Sequence, residues 1–220
     1  MTYLPDPWAY DWSLYAIIDA ELLGERSPAM LCERMIAGGA GIVQYRDKIS
    51  DARRFYETAR QIQRVCAAFR IPFIVNDRVD IAMALDADGI HLGQSDLPAE
   101  AARRIVPPYM LIGVSASTIL EFEAIQTADY YGVGALFPTG TKEDAESMER
   151  GLAATIKDRC RLPVVGIGGV QLSNCSRAVW AGCDGVAVIS GLMLSENVQE
   201  TAHRFVETVR SARLERGQDS

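Results

Sequence analysis

Short apolar runs rich in β-branched residues alternate along the chain with longer stretches that carry apolar residues at helical spacing. The short runs predict buried strands, and the longer stretches predict amphipathic helices. The predicted strands cover residues 14–18, 41–45, 72–75, 89–91, 111–114, 130–132, 164–166 and 185–188. The predicted helices include residues 28–37, 51–69, 119–127, 174–181 and 198–214.

This alternation predicts a parallel sheet, because strands separated by helices pair through right-handed crossovers. Eight strand-helix units in 220 residues favour a compact α/β fold, the single-domain (β/α)8 TIM barrel. A doubly wound open sheet is the rival architecture, but it usually holds only about five or six strands. We expect one domain over residues 1–220, with a frayed tail at residues 215–220.

Composition narrows the functional classes. The net charge of −7 argues against non-specific binding to nucleic acid or to an anionic membrane. The chain has no apolar run long enough to cross a bilayer and no secretory start, so we expect a cytoplasmic protein. Its five cysteines are scattered without a CxxC pair, which indicates reduced thiols and no zinc site.

In a TIM barrel the functional groups follow the carboxyl ends of the strands, so each strand end can be inspected for chemistry. Strand alternation places Gln44 and Arg46 on the same side of the second strand, with Lys48 just beyond it. An amide and two cations at a barrel mouth suit an anion or a polar heterocycle. A solvated surface charge pair is the alternative.

Carboxylates follow the third and fourth strands, at Asp77 and Asp96, with Asn76 and Arg78 flanking the first. Because sequential strands of a barrel are neighbours, the two carboxylates are expected to approach each other and to share a proton or a cation. Mg2+ accepts one or two carboxylates and completes its shell with water and substrate phosphates. The alternative is that each aspartate only caps the next helix.

The fifth and sixth strands end on hydroxyl groups. Ser115 follows the fifth strand, where capping of the next helix is the simpler reading. Thr139, Thr141 and Lys142 follow the sixth and combine hydroxyls, backbone N–H groups and an ammonium, a mixture suited to phosphate. The polar stretch onward to Gly151 is long for a strand-to-helix connection and indicates a lid.

Glycines follow the seventh strand, at Gly168 and Gly169, and Ile189-Ser190 follows the eighth. TIM barrels often bind phosphate between these two loops through backbone N–H groups. The mouth is therefore predicted to hold two anion sites, one built from a metal and cations and one built from neutral backbone.

Seven ordered motifs together resemble the thiamine-phosphate synthase family, and they span about residues 13–193. They are residues 44–48, 76–78, 91–98, 113–115, 137–142, 166–169 and 185–190. The resemblance implies a small TIM barrel that joins hydroxymethylpyrimidine diphosphate to hydroxyethylthiazole phosphate, releasing pyrophosphate and forming thiamine phosphate. It also implies a dissociative substitution that needs no protein nucleophile.

The resemblance assigns roles to individual positions. It implies that Asp77 and Asp96 ligate Mg2+, and that Arg46, Lys48, Ser115 and Lys142 are catalytic. The residues expected to bind substrate are Gln44, Arg46, Lys48, Asn76, Ser115, Thr139, Thr141, Lys142, Gly169, Ile189 and Ser190. The implied partners are the two small-molecule substrates, with no nucleic acid and no membrane, and a homo-oligomer stays open.

Two short stretches depart from the family pattern. Ala116-Ser117 stands where members often have Thr-His, which puts fine substrate positioning in question, and Gly134-Ala135 stands where they have Gly-Pro.

Two rival functions remain. A related thiazole tautomerase would need a histidine base, but His203 lies in the last helix and His91 is better explained as structural. A non-catalytic phosphate-sensing barrel is the other rival.

Overall fold

Eight parallel strands form a closed barrel in the computed structural model, which describes residues 6–125, 127–138 and 151–218. Each strand pairs with the next along the chain, and the last pairs with the first, with Tyr15 opposite Ala187. The strands are β1 Leu14–Asp19, β2 Ile42–Arg46, β3 Phe73–Asn76, β4 Gly89–Leu92, β5 Leu111–Ala116, β6 Tyr130–Val133, β7 Val164–Gly166 and β8 Gly185–Val188. The predicted TIM barrel is confirmed, and the open sheet is wrong.

Helices connect the strands around the outside of the barrel. They are α1 Ala20–Leu23, α2 Pro28–Ala37, α3 Ala52–Phe69, α4 Val79–Leu85, α5 Ala99–Arg103, α6 Ile119–Ala124, α7 Leu152–Arg159, α8 Cys175–Trp180, α9 Ser190–Met193 and α10 Val198–Gln218. Side chains cap several of them: Asp51 Oδ1 accepts from the backbone N–H of Arg54 at 2.9 Å, and Thr118 caps α6. No helix in the described ranges is long and apolar enough to span a bilayer.

Strand alternation divides the core into two layers. In β1, Leu14, Ala16 and Ile18 face the helices, and Tyr15 and Ile17 face the barrel interior. The interior layer also contains one buried residue from each other strand except β4. Its buried members are Trp12, Tyr15, Ile17, Ile42, Ile74, Leu111, Tyr130, Val165 and Ala187.

Trp12 closes the amino-terminal end of the barrel interior. Its ring is 2 % exposed and lies 4.7 Å from the Tyr130 ring, centroid to centroid. Its indole N–H donates to the carbonyl oxygen of Pro7 at 2.7 Å, which ties the segment before β1 to the barrel floor. The polar side chains predicted from the strand ends lie toward the opposite, carboxyl end.

Gly113 leaves room for the Tyr130 ring inside the barrel, because a Cβ at position 113 would overlap atoms of that ring. Gly113→Ala is therefore expected to lower the free energy of unfolding by about 1–3 kcal/mol through overpacking. Urea unfolding curves measure this change. Gly217→Ala is the matched control, since a Cβ there meets nothing within 4 Å. Equal stability of the two variants would contradict the packing argument.

Candidate active site

Asp77 and Asp96 form a carboxylate pair at the mouth of the barrel. Asp77 directly follows β3 in a left-handed conformation with φ 58°, and its backbone N–H donates to the carbonyl of His91 at 2.9 Å. The two carboxyl groups are close enough to interact electrostatically, and Lys48 forms an ion pair with Asp77. Asp96 is held in place because its Oδ2 accepts from the Gly93 N–H at 2.8 Å.

The electrostatics of this pair favour a bound proton or cation. Burial raises the pKa of Asp77 above its usual value, the neighbouring Asp96 carboxyl raises it further, and Lys48 lowers it. Two adjacent carboxylates repel each other unless positive charge is shared between them.

The donor set fits Mg2+, which takes one or two carboxylates and leaves its other positions to water and phosphate oxygens. Within the described ranges, no cluster of three or more His, Cys, Asp or Glu side chains is placed to hold a metal by protein groups alone. Neither aspartate caps a helix through its side chain, because α4 begins after Arg78 and α5 after Pro98. The capping alternative for Asp77 and Asp96 is therefore wrong.

Arg78 does not join the carboxylate pair. Its guanidinium forms a two-point ion pair with Asp80, with Nη2 at 2.6 Å from Oδ2, and lies over the Phe55 ring. Three cations were expected near the carboxylate pair, Arg46, Lys48 and Arg78. Lys48 forms the ion pair with Asp77, whereas Arg46 pairs with Asp19 at the end of β1.

Gln44, Arg46, Asn76 and Ser115 line one cavity of about 170 Å³ inside the mouth. Arg46 pairs with Asp19 at the end of β1. Asp19 is 4 % exposed, and its other oxygen accepts from the backbone N–H of Glu21 at 2.9 Å, so the carboxylate is fixed and orients the guanidinium. Gln44 and Arg46 do share one side of β2.

Ser115 contacts a buried histidine instead of capping α6, which Thr118 caps. The Nε2 of His91 lies 2.9 Å from Ser115 Oγ, and Nδ1 lies 3.1 Å from the hydroxyl of Tyr130. Burial lowers the pKa of His91 to about 4, although Asp96 opposes the shift. His91 is therefore neutral near pH 7, and the capping role expected for Ser115 is wrong.

Acid is expected to destabilise the protein through His91. The pKa falls from 6.5 in the unfolded chain to about 4 in the fold, so the unfolded state binds the extra proton between these values. The free energy of unfolding therefore has its full value above about pH 6.5. Protonation of His91 lowers it by roughly 3 kcal/mol by pH 4. Urea unfolding across this range should show a weaker pH dependence in His91→Gln than in the wild type. His203→Gln is the control, and an unchanged slope in His91→Gln would assign the effect to other groups.

A second cavity, of about 540 Å³, lies between the ends of β7 and β8. Gly168, Gly169 and Ser190 line it, together with Ile189. Gly168 and Gly169 have φ of +86° and +64°, and a Cβ on Gly169 would lie 2.6 Å from the carbonyl oxygen of Phe137. The backbone is therefore folded tightly here, in a conformation that few side chains tolerate.

The two cavities adjoin, because Ile167, Ala187 and Ile189 line both. The mouth thus brings the polar groups of β2, β3 and β5 and the glycine loops of β7 and β8 to one basin. Thr139, Thr141 and Lys142 lie outside the described residues.

Comparisons with known proteins agree with this geometry. A sequence profile of the family described as thiamine monophosphate synthase matches residues 14–192. The chain belongs to this family. It is 42 % identical over 202 residues to the thiamine-phosphate synthase of Alkaliphilus oremlandii, covering 91 % of this chain and 97 % of that protein. The corresponding protein of Methanospirillum hungatei is 42 % identical over 200 residues, covering 90 % and 97 %.

A solved structure supports the same membership of the thiamine monophosphate synthase family. The thiamine phosphate pyrophosphorylase of Pyrococcus furiosus superposes with a TM-score of 0.81 at 34 % identity. The match covers 92 % of this chain and 97 % of that one. The likeness therefore includes the whole barrel.

The departure from the family pattern at Ser117 has a local structural effect. The Ser117 hydroxyl donates to the carbonyl of Gly134 at 2.6 Å, and its backbone N–H donates to Glu121 Oε2 at 2.6 Å. Ser117 thus ties the loop after β5 to the end of β6. A smaller polar residue fills a bridging position where the family often has a ring.

Three residues of the site were not singled out from the sequence of this family member. Asp19 orients Arg46, and its position at the end of β1 is a signal that inspection of strand ends could have used. Tyr15 and Tyr130 bring hydroxyls into the interior, where their hydroxyl oxygens lie 2.8 Å apart. Both face inward by strand alternation, but aromatic residues on an inward face usually indicate packing.

Proposed function

We propose that this chain condenses hydroxymethylpyrimidine diphosphate with hydroxyethylthiazole phosphate to give thiamine phosphate and pyrophosphate. One observation carries the proposal: a cavity lined by Arg46, Asn76 and Ser115 adjoins a glycine-lined cavity within a single barrel mouth. The carboxylate pair follows strands that end at the same mouth. A reaction between the pyrimidine diphosphate and the thiazole phosphate needs two anion sites. The sites must hold the two substrates so that their reacting atoms are close enough to form a bond.

The cavity of about 170 Å³ is proposed to hold the pyrimidine, with its diphosphate toward the rim. The Nε2 of Gln44 donates to Tyr15 at 2.7 Å, so its amide oxygen is left to accept from an exocyclic amine of the ring. Arg46, Lys48 and Asn76 would bind the diphosphate, and we expect Lys142 to add a second ammonium. These groups neutralise charge that grows as the leaving group departs.

The larger cavity is proposed to hold the thiazole phosphate. Backbone N–H groups at Gly169 and Ser190 would donate to its phosphate oxygens, and Ile189 would contact the ring. We expect the hydroxyls of Thr139 and Thr141 to complete the phosphate site. The shared wall of Ile167, Ala187 and Ile189 then directs the thiazole nitrogen toward the pyrimidine methylene.

The substitution is proposed to be dissociative. The bond between the pyrimidine methylene carbon and the diphosphate oxygen breaks first, and its electron pair leaves with pyrophosphate. The aminopyrimidine stabilises the resulting cation until the lone pair of the thiazole nitrogen forms the new C–N bond. Protein groups supply position and charge neutralisation, and none of them forms a covalent bond to substrate.

We propose Asp77 and Asp96 as the residues that hold Mg2+. When bound, Mg2+ would supply a Lewis acid that makes diphosphate a better leaving group. Lys48 adjoins the same pair and would keep the local charge balanced before substrate binds.

The proposed activity is tested by mixing purified protein with both phosphorylated substrates, with and without Mg2+. Thiamine phosphate and pyrophosphate should appear in equal amounts only when Mg2+ is present, as measured by chromatography with mass detection. Isomerisation of a thiazole carboxylate phosphate without condensation would identify a tautomerase. Binding of the phosphates without any turnover would identify a sensor. We expect the reaction to take place in the cytoplasm.

Gly169→Ala is expected to raise KM for the thiazole phosphate by roughly 10- to 100-fold, the effect of losing a hydrogen bond to a charged group. The added Cβ would lie 2.6 Å from Phe137 O and 2.7 Å from Pro138 O, so the loop must move. KM for the pyrimidine diphosphate should stay near the wild-type value. Steady-state kinetics with each substrate varied in turn measures both constants.

Gly151→Ala is the matched control, because Gly151 also has a positive φ, +79°, but a Cβ there meets nothing within 4 Å. It carries the backbone strain without the steric overlap. Equal increases in both KM values for Gly169→Ala would mean that the glycine loop does not belong to the thiazole site.

A further inference from the structure

A chain of hydrogen bonds crosses the interior of the barrel from Gln44 to Ser115 and connects five strands. Gln44 Nε2 lies 2.7 Å from the Tyr15 hydroxyl, which lies 2.8 Å from the Tyr130 hydroxyl. That hydroxyl lies 3.1 Å from Nδ1 of His91, whose Nε2 lies 2.9 Å from Ser115 Oγ. Gln44, Tyr15, Tyr130 and His91 are all buried, so these contacts are sheltered from water.

The direction of this chain is set at its Gln44 end, where an amide N–H can only donate. Tyr15 accepts that hydrogen bond and uses its single hydrogen for Tyr130. Tyr130 in turn uses its hydrogen for Nδ1 of His91, which must accept. A neutral imidazole that accepts at Nδ1 carries its hydrogen on Nε2, and this nitrogen donates to Ser115 Oγ.

Ser115 then has one hydrogen left, and it cannot point toward His91. Ser115 lines the cavity together with Arg46 and Asn76, which places that hydrogen among the groups proposed to bind diphosphate. Gly132 keeps the space open, since a Cβ there would lie 3.0 Å from His91 Cε1 and 3.8 Å from Ser115 Oγ.

We propose that this chain holds His91 as the tautomer protonated on Nε2 and thereby makes Ser115 a fixed hydrogen-bond donor to the departing diphosphate. His91, Tyr130 and Tyr15 are positioning residues that act through Ser115. The reverse direction would leave Ser115 donating to His91 and presenting lone pairs to an anion. The last step, the donation to diphosphate, rests on the proposed function, whereas the tautomer of His91 does not.

The tautomer can be measured directly, because the chain contains only two histidines. His203 is exposed on α10, and His203→Gln leaves His91 as the only imidazole in 15N-labelled protein. Long-range 1H–15N spectra without substrate should show a neutral ring with the hydrogen on Nε2. A ring with its hydrogen on Nδ1, or a charged ring near neutral pH, would overturn the proposal.

Kinetics test whether the chain acts through Ser115. Ser115→Ala is expected to lower kcat by roughly 10²- to 10³-fold, as for the loss of one donor to developing negative charge. Tyr130→Phe should lower kcat by roughly 10- to 100-fold, the range typical when an orienting partner is removed. The kcat of the double variant should lie within about twofold of the kcat of Ser115→Ala, because the effects of coupled residues are not additive.

Tyr131→Phe is the matched control, since Tyr131 neighbours Tyr130 in β6 but packs outside the interior against Phe122. It should retain wild-type kcat. A Tyr130→Phe effect that persists in the Ser115→Ala background would show a merely structural role for Tyr130 and refute the coupling. If no thiamine phosphate forms but the Nε2 tautomer is found, the proposed function fails and the direction of the chain survives.

Discussion

Asp77→Asn is expected to lower kcat by roughly 10²- to 10³-fold with little change in the stability of the fold. Asparagine has the size of aspartate and tolerates the left-handed backbone at this position, where φ is 58°. It removes the charge that Asp77 shares with Lys48 and with the proposed metal. The Mg2+ concentration needed for half-maximal rate should increase as well, and rates measured across a Mg2+ titration test both effects.

Asp86→Asn is the matched control for this substitution. Asp86 also has a left-handed backbone, with φ 52°, but it ends α4 and accepts from the Tyr109 hydroxyl, away from the mouth. Its kcat should equal that of the wild type. Wild-type turnover by Asp77→Asn at ordinary Mg2+ would remove the carboxylate pair from the proposed chemistry.

Arg46→Gln is expected to lower kcat/KM for the pyrimidine diphosphate by roughly 10²- to 10³-fold, because one charged donor to the leaving group is lost. KM for the thiazole phosphate should change little, since Arg46 lines only the smaller of the two cavities. The substitution also leaves the buried Asp19 carboxylate without its cation, so the unfolding midpoint in urea should fall.

Arg103→Gln separates these two effects. Arg103 also pairs with a half-buried carboxylate, that of Asp129, but this pair lies at the opposite end of the barrel, before β6. The variant should lose stability and retain kcat/KM. If Arg46→Gln and Arg103→Gln had equal activity at equal stability, Arg46 would have no part in binding diphosphate.

The barrel was predictable from the sequence because its signal repeats eight times. All eight predicted strands are present, and the ranges for β7 and β8 agree residue for residue with the structure. Several other strands extend past the predicted end, as β1 does to Asp19, β2 to Arg46 and β3 to Asn76. The apolar pattern marks the buried part of a strand, whereas the polar residues at its carboxyl end join the ladder through backbone hydrogen bonds that the pattern does not record.

The site was predictable in outline and less so in detail. Strand order indicated that Asp77 and Asp96 would approach each other, because sequential strands are neighbours in a barrel. The direction of Arg78 and the partner of Ser115 were not predictable, since each depends on a competing local contact. Asp80 lies two positions from Arg78 and pairs with it, and His91 reaches Ser115 only after the strands have closed.

Trp12 closes the amino-terminal end of the barrel, and the interior cavity lies toward the rim, where Arg46, Asn76 and Ser115 line it. Substrates would therefore enter, and products would leave, at the rim. In the proposed reaction, pyrophosphate would form near the rim, beside Arg46 and Lys48. It would have to leave before another pyrimidine diphosphate could bind to the same cationic side chains. Under the proposed function, pyrophosphate would therefore compete with the pyrimidine diphosphate for these cations, and its release would limit turnover.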